Sequence, residues 1–91
     1  MSVQEEVLEE VLTETKEEKQ NEIVVFNDDV NTFDHVIEML MDACEHDMLQ
    51  AEQCTLLIHY KGKCGVKTGD FEDLQPRCTK LLEAGISAEI Q

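Results

Sequence analysis

Basic residues are scarce in this 91-residue chain, which has 7 Lys and Arg against 21 Asp and Glu and a formal net charge of −14. Nucleic acids and anionic membrane surfaces are therefore poor partners, because binding phosphates or acidic headgroups requires positive charge. The same field attracts cationic ligands and basic protein surfaces instead. A chain of this length has room for one small domain.

Long apolar runs are also missing. No stretch approaches the roughly 20 residues that a membrane-spanning helix needs, and the first residues lack the basic start and apolar middle of a signal peptide. We therefore expect a cytoplasmic protein. The four cysteines, at positions 44, 54, 64 and 78, form no C-x-x-C pair, so we expect free thiols and neither a zinc knuckle nor a disulfide framework.

The N-terminal part of the chain differs in composition from the rest. Residues 1–20 carry seven Glu and two Lys and contain no Gly, Pro or aromatic residue. So acidic a segment buries too little apolar surface to fold by itself. We predict an acidic flexible tail over residues 1–21 and a folded core over residues 22–91.

Apolar periodicity predicts six elements in the core. They are a strand over 23–26, a helix from Asn31 or Thr32 to 44, a helix from Asp47 to Gly62, a strand over 64–66, a helix from Thr68 or Gly69 to Gly85, and a strand over 86–90. Pro76 is expected to kink or restart the third helix, because proline removes a helical hydrogen bond. Three short strands are not stable alone in water, so helices must cover one face of their sheet. We therefore predict a small α+β sandwich, with a three-stranded antiparallel sheet covered by helices.

The stretch from Phe26 to Phe33 joins the first strand to the first helix and reads Phe-Asn-Asp-Asp-Val-Asn-Thr-Phe. Asn and Asp at such a turn commonly bond nearby backbone N–H groups and cap the helix that follows. The same carboxylate and amide oxygens also suit a small cationic group. The residue types alone leave both interpretations open.

An enzyme and a metal protein are the competing classes. A thiol nucleophile needs an adjacent base, and Cys64 follows His59 by only five residues, but the turn at Gly62 separates them. No H-E-x-x-H or EF-hand spacing occurs, so we expect no metal or other cofactor. His59 itself has an ordinary explanation, because a histidine at a helix C-terminus interacts favourably with the helix dipole.

Three separated motifs occur in the order and spacing of a known family. They are Val24-Val25-Phe26-Asn27-Asp28-Asp29 with Val36-Ile37 behind it, His59-Tyr60-Lys61-Gly62-Lys63, and Cys64-Gly65-Val66 followed by Thr68. From about Glu22 to Ile90 the chain thus resembles ClpS, the family of adaptors that deliver N-degron substrates to Clp AAA+ proteases. The resemblance implies a fold related to the C-terminal domain of a ribosomal stalk protein.

The resemblance also implies a function, which is that of a non-enzymatic adaptor for proteins whose free N-terminal residue is Leu, Phe, Tyr or Trp. By match, the α-amino group of the substrate is held by Asn27, by Asp28 or Asp29, and by His59. The first side chain of the substrate then enters an apolar pocket between the helices. The matching pocket residues are Phe33, Val36, Thr55 and Ile86.

The partner that the resemblance implies is the N-terminal domain of a Clp unfoldase, which docks near Thr68 and Asp70, while the acidic tail engages the unfoldase pore. Two pocket residues depart from the family, since Phe33 and Thr55 stand where methionines are common. These departures leave an alternative function open, in which the chain binds the unfoldase as a regulator but does not recognise N-degrons.

Overall fold

The structure is a computed structural model that describes residues 20–91, so the predicted acidic tail lies almost wholly outside the described residues. Six elements follow in chain order. They are β1 (Asn21–Phe26), α1 (Phe33–Cys44), α2 (Met48–Lys61), β2 (Lys63–Gly69), α3 (Phe71–Glu83) and β3 (Ala88–Ile90). This β-α-α-β-α-β order confirms the predicted α+β fold class. Of the helices in residues 20–91, none combines the length and the apolar character needed to cross a bilayer.

The sheet is antiparallel and has the strand order β2-β1-β3, with β1 in the centre. Ile23 and Val25 alternate with Val24 along β1, and only the first two belong to the main apolar core, so the core lies on one face of the sheet. All three helices contribute to this core. Its most deeply buried side chains are Ile23, Leu40, Leu74, Leu81, Val25 and Cys44.

The helix boundaries have local chemical causes that the sequence indicates. Thr32 caps α1, where its hydroxyl accepts a hydrogen bond from the His35 backbone N–H at 3.1 Å. Asp47 caps α2 in the same way, through the Gln50 N–H at 2.7 Å. α2 ends at Gly62, whose φ of +95° is a left-handed conformation that glycine adopts without strain.

β2 is longer than predicted and α3 begins later. Thr68 and Gly69 pair with β1, so they extend the strand and do not start the helix. The ladder continues because β1 itself begins at Asn21, the partner of Gly69. Asp70 then occupies the cap position of α3, and its backbone carbonyl accepts the first helical hydrogen bonds.

Pro76 lies inside α3, which continues through it, so the predicted restart of this helix is wrong. Proline costs the helix one hydrogen bond, but Pro76 lies on the exposed side. The opposite side is held by three residues that are buried in the core, namely Leu74, Cys78 and Leu81. The packing of these three side chains stabilises the helix by more than the missing hydrogen bond costs.

The C-terminal end of α3 is a Schellman motif. Gly85 has a φ of +86° and its N–H donates to the Leu82 carbonyl, while the Ile86 N–H donates to the Leu81 carbonyl at 3.0 Å. Ile86 and Leu81 are both buried, as the motif requires. Ile86 therefore terminates the helix and precedes the last strand, which starts at Ala88 and not at residue 86.

His46 is a buried polar residue in the loop between α1 and α2. It is 5% exposed, and its Nε2 donates a hydrogen bond to the Val66 carbonyl at 2.6 Å. Val66 is the extra residue of a β-bulge, because Ile23 pairs with Lys67 while the next residue of β1 already pairs with Gly65. His46 thus donates a hydrogen bond to the carbonyl of the residue that the bulge leaves without a partner on β1.

This contact predicts that His46→Phe lowers the free energy of unfolding by about 1–3 kcal/mol, because the buried Val66 carbonyl loses its donor. His46→Gln is the control, since its amide can donate at a similar reach, and it should cost less. Denaturant unfolding of the three proteins measures the difference. A larger loss in His46→Gln than in His46→Phe would mean that the packing of the ring matters and the hydrogen bond does not.

Candidate functional site

A cavity of about 360 Å³ opens between the turn that follows β1 and the C-terminal half of α2. It brings together all the predicted amine-binding and pocket residues except Ile86. Ten residues line it, namely Asn27, Asp28, Asp29, Asn31, Thr32, Phe33, Val36, Thr55, Ile58 and His59. Residues that are about 30 positions apart in sequence therefore share one site.

Polar and apolar groups occupy different parts of the cavity wall. Val36, Thr55 and Ile58 are buried and belong to α1 and α2, so they form the deep wall. Thr55 is only 3% exposed, and its hydroxyl donates to the Ala51 carbonyl at 2.7 Å, which leaves the group satisfied within its own helix. The carboxylates and amides come from the turn at the open side. The cavity can therefore take an apolar group below a cationic one.

Asp28 organises the turn. Its Oδ1 accepts hydrogen bonds from the backbone N–H groups of Val30 and Asn31, each at 2.9 Å, and its Oδ2 accepts one from Asn31 Nδ2 at 2.7 Å. The backbone donors, first Asn31 and then Val30, hold the pKa of Asp28 below its usual value. The carboxylate is thus a fixed anion. Asp29 is exposed beside it in the same cavity.

The turn is attached to the two loops beside it. The Asn27 backbone N–H donates to the Gly62 carbonyl at 2.9 Å, which joins the turn to the end of α2. On the other side, Asn31 Nδ2 donates to the Gly85 carbonyl, also at 2.9 Å. These bonds set the position of the turn relative to α2, and so relative to His59.

His59 lies in the last turn of α2 and borders the mouth of the cavity. Its ring makes an edge-to-face contact with Phe33, with centroids 5.9 Å apart and an interplanar angle of 77°. Tyr60 makes a similar edge-to-face contact with His59, with centroids 5.1 Å apart and an interplanar angle of 79°. The His59 ring thus packs against two aromatic rings, and one of them, Phe33, also lines the cavity.

Ile86 stands apart from the other predicted pocket residues. It is 2% exposed and lines a smaller void of about 20 Å³, which shares Val36 and Ile58 with the main cavity. Its role in ending α3 accounts for its burial. Ile86 therefore supports the wall of the main cavity from behind and does not line the cavity.

Three residues that line the cavity were missed by the sequence interpretation as site residues, namely Asn31, Thr32 and Ile58. Asn31 and Thr32 belong to the turn that drew attention, but only their capping role was considered. Ile58 follows Thr55 by three residues, so helical spacing already places both on one face of α2. That spacing was the signal that could have found it.

Three of the four thiols have a pKa above the ordinary value for cysteine. Burial raises the pKa of Cys44 to about 11, and burial also raises the pKa of Cys54, with a further contribution from neighbouring Cys64. Burial likewise raises the pKa of Cys78. An activated nucleophile needs the opposite shift. Within residues 20–91, no three His, Cys, Asp or Glu side chains group closely enough to hold a metal ion.

Thr68 and Asp70, the predicted docking residues, lie outside the cavity. Both are exposed, Thr68 in β2 and Asp70 at the cap position of α3. The Asp70 side chain makes no capping hydrogen bond to the helix. Its carboxylate is therefore not used to end the strand or to begin the helix.

Comparison with known proteins identifies the family. The model of the family described as "ATP-dependent Clp protease adaptor protein ClpS" matches residues 16–89. The chain belongs to the ClpS family. ClpS proteins are adaptors and not enzymes.

Individual ClpS proteins are also similar to this chain in sequence. The ClpS adaptor of Campylobacter jejuni serotype O:23/36 is 40% identical over 61 residues, which cover 65% of this chain and 64% of that protein. The ClpS adaptor of Shewanella pealeana is 39% identical over 64 residues, which cover 68% of this chain and 63% of that protein. The chain thus spans a little under two thirds of the length of these relatives.

Among solved structures, Agrobacterium tumefaciens ClpS2 bound to L-phenylalaninamide has the same fold. The TM-score is 0.65 and the sequence identity is 16%, and the similarity covers 81% of this chain and 99% of that one. At this identity the likeness concerns the fold. It confirms the ClpS-like arrangement of the three strands and three helices.

The Asp28 carboxylate predicts a pH dependence of stability. Because its pKa in the folded protein lies below the reference value of 3.8, its contribution is fully present above about pH 4 and is lost as the pH falls through the lowered pKa. Asp28→Asn is therefore expected to lower the free energy of unfolding by about 1 kcal/mol at pH 7.

Denaturant unfolding between pH 7 and pH 2 tests this, with Asp29→Asn as the matched control. The control should change stability little, because Asp29 is exposed. The difference in the free energy of unfolding between the native protein and Asp28→Asn should disappear as the pH falls below 3.8. A gap that stays constant down to pH 2 would show that the charge of Asp28 is not what stabilises the turn.

Proposed function

We propose that this ClpS-family chain binds the free N-terminus of proteins that begin with a bulky hydrophobic residue and delivers them to a Clp AAA+ unfoldase. The observation that carries the proposal is the shape of the cavity, which combines anionic and amide oxygens at its open side with buried apolar walls. An N-terminal residue has the complementary structure, with a charged amine next to an apolar side chain.

The amine site consists of Asn27, Asp28, Asp29 and His59. A protonated α-amine offers three hydrogen-bond donors, and an amide oxygen, a carboxylate and a neutral imidazole nitrogen are three acceptors. Capture of an N-terminal amine by such groups is a recurring mode of peptide recognition. Asp28 suits this role because it is already anionic and fixed before the substrate arrives.

The first side chain enters the cavity between Phe33, Val36 and Thr55, with Ile58 as a further wall. Burying one large apolar side chain contributes about 1.5–3 kcal/mol, and each hydrogen bond to the charged amine contributes about 1.5–3 kcal/mol. Association entropy opposes these terms. The expected result is a dissociation constant in the micromolar range, which corresponds to a binding free energy of about −8 kcal/mol.

A solved relative supports this assignment. Agrobacterium tumefaciens ClpS2 is bound to L-phenylalaninamide, which carries a free α-amine and one aromatic side chain. It is therefore a minimal version of an N-terminal phenylalanine. The first-residue preference that we propose for this chain is Leu, Phe, Tyr or Trp.

Delivery requires a second surface, for which we propose Thr68 and Asp70. Both are exposed and separate from the cavity, so an unfoldase N-terminal domain and a substrate can bind at the same time. Asp70 is available because its side chain does not cap α3. Because the proposed partner is a Clp unfoldase, we also propose that the chain is cytoplasmic. Residues 1–21 would supply the acidic segment that engages the unfoldase pore.

The deciding experiment is a titration of fluorescent peptides that differ only at the first residue. Leu-first and Phe-first peptides should bind with micromolar affinity, Ala-first peptides at least tenfold more weakly, and acetylated Leu-first peptides not measurably. Fluorescence anisotropy with the full chain gives these affinities. Failure of every free N-terminus to bind would reject degron recognition and favour the alternative, a regulatory module that binds only the unfoldase.

His59→Ala should weaken peptide binding severalfold, because the variant has no side-chain acceptor for a hydrogen bond from the amine. His59→Gln provides the control, since its amide oxygen still accepts, and it should lose less affinity. Fluorescence anisotropy with the Leu-first peptide measures both. An unchanged affinity in the Ala variant, or an equal loss in the Gln variant, would contradict the role of His59.

A further inference from the structure

The solvent side of α2 carries a row of apolar side chains. Leu49, Leu56 and Tyr60 stand at i, i+7 and i+11, so they share one face of the helix. They are 63%, 43% and 76% exposed. Single exposed apolar residues are common on protein surfaces, whereas an aligned set of them indicates a contact surface. We call these three residues the outer row of α2.

The outer row lies opposite the side of α2 that packs on the core. That buried side repeats as Ala51, Thr55 and Ile58. Leu49 precedes Ala51 by two residues, which is about 200° around the helix. The outer row is exposed in the presence of every element within residues 20–91. A partner for it must therefore come from residues 1–19 or from another molecule.

Residues 3–12 have a sequence pattern that fits such a surface. A helix over these residues separates its apolar side chains from its acids, one group on each half of the helix. The apolar half consists of Val3, Val7, Leu8, Val11 and Leu12, and the acidic half consists of Glu5, Glu6, Glu9 and Glu10. A helix this short is not stable alone in water and needs an apolar surface to pack on.

The point where the N-terminal segment joins the core lies beside the start of α2. Glu22, in β1, lines a cavity of about 350 Å³ together with Gln50, which belongs to the first turn of α2. The connection over residues 13–20 can span at most about 26–29 Å. Since α2 has 14 residues, it is about 21 Å long. Residues 3–12 can therefore reach any part of the outer row.

We propose that residues 3–12 form a helix whose apolar half packs on the outer row of α2. Such a helix is about 15 Å long, close to the roughly 17 Å between the two ends of the outer row. Its acids then face water, which limits their repulsion from the acidic core. The outer row ends at Tyr60, whose ring contacts His59, so the packed segment reaches the edge of the cavity.

This contact goes beyond the proposed function and does not depend on degron recognition. It adds one step to delivery, because residues 1–21 can engage an unfoldase pore only after the segment has left the outer row. The partner of the row is thus a part of the same chain, and the contact opens when the segment is withdrawn.

Amide hydrogen exchange of the full chain tests the proposal. Residues 3–12 should exchange about tenfold more slowly in the native chain than in Leu49→Glu, because the added charge disrupts the apolar contact. An acid is favourable in the first turn of a helix, so this variant keeps its fold. Leu82→Glu is the matched control, since Leu82 is 51% exposed on α3, and it should retain the slow exchange.

Two variants in the N-terminal segment test the other side of the contact without touching the core. Leu8→Glu places a charge on the apolar half and should bring exchange to the rate of Leu49→Glu. Thr13→Glu adds the same charge at a position that continues the acidic half, so it should retain the slow exchange. Added salt should preserve the protection, because the contact is apolar and opposed by like charges.

Three results would overturn the proposal. The first is exchange in residues 3–12 that is equally fast in the native chain and in Leu49→Glu. The second is protection that Leu82→Glu or Thr13→Glu abolishes as strongly as Leu49→Glu, because net charge would then be the cause. The third is a native dimer, detected by sedimentation, that Leu49→Glu dissociates, because a second copy of the chain would then cover the outer row.

Discussion

One carboxylate determines the geometry of the candidate site. Asp28 accepts three hydrogen bonds from its own turn, two of them from backbone N–H groups that point towards a single oxygen. These bonds fix the backbone from Asn27 to Asn31, whose ends reach the Gly62 and Gly85 loops. The end of α2, the turn and the end of α3 therefore hold their relative positions through a segment that Asp28 keeps in shape. The cavity is the space that these segments enclose together with α1.

The residue types of this turn left two interpretations open, helix capping and the binding of a cationic group. The two interpretations are compatible. An ionised carboxylate offers about four lone-pair sites, and the turn of Asp28 uses three of them. The hydrogen bonds that shape the backbone also keep the group anionic, because they lower its pKa. A preorganised anion loses less entropy on binding a cation than a mobile one does. The structural role of Asp28 is thus a precondition for the proposed binding role.

Local patterns predicted the fold well because each element carries its own periodicity and its own cap, such as Thr32, Asp47 and Gly85. Properties that depend on distant residues were not predictable. The contact of Asn31 with Gly85 spans 54 positions, and the bond from His46 to the bulge at Val66 depends on a register shift that the sequence pattern does not encode. Family motifs named most of the residues that line the cavity, and their binding role stays a prediction. The placement of Ile86 behind the cavity depends on how α3 ends.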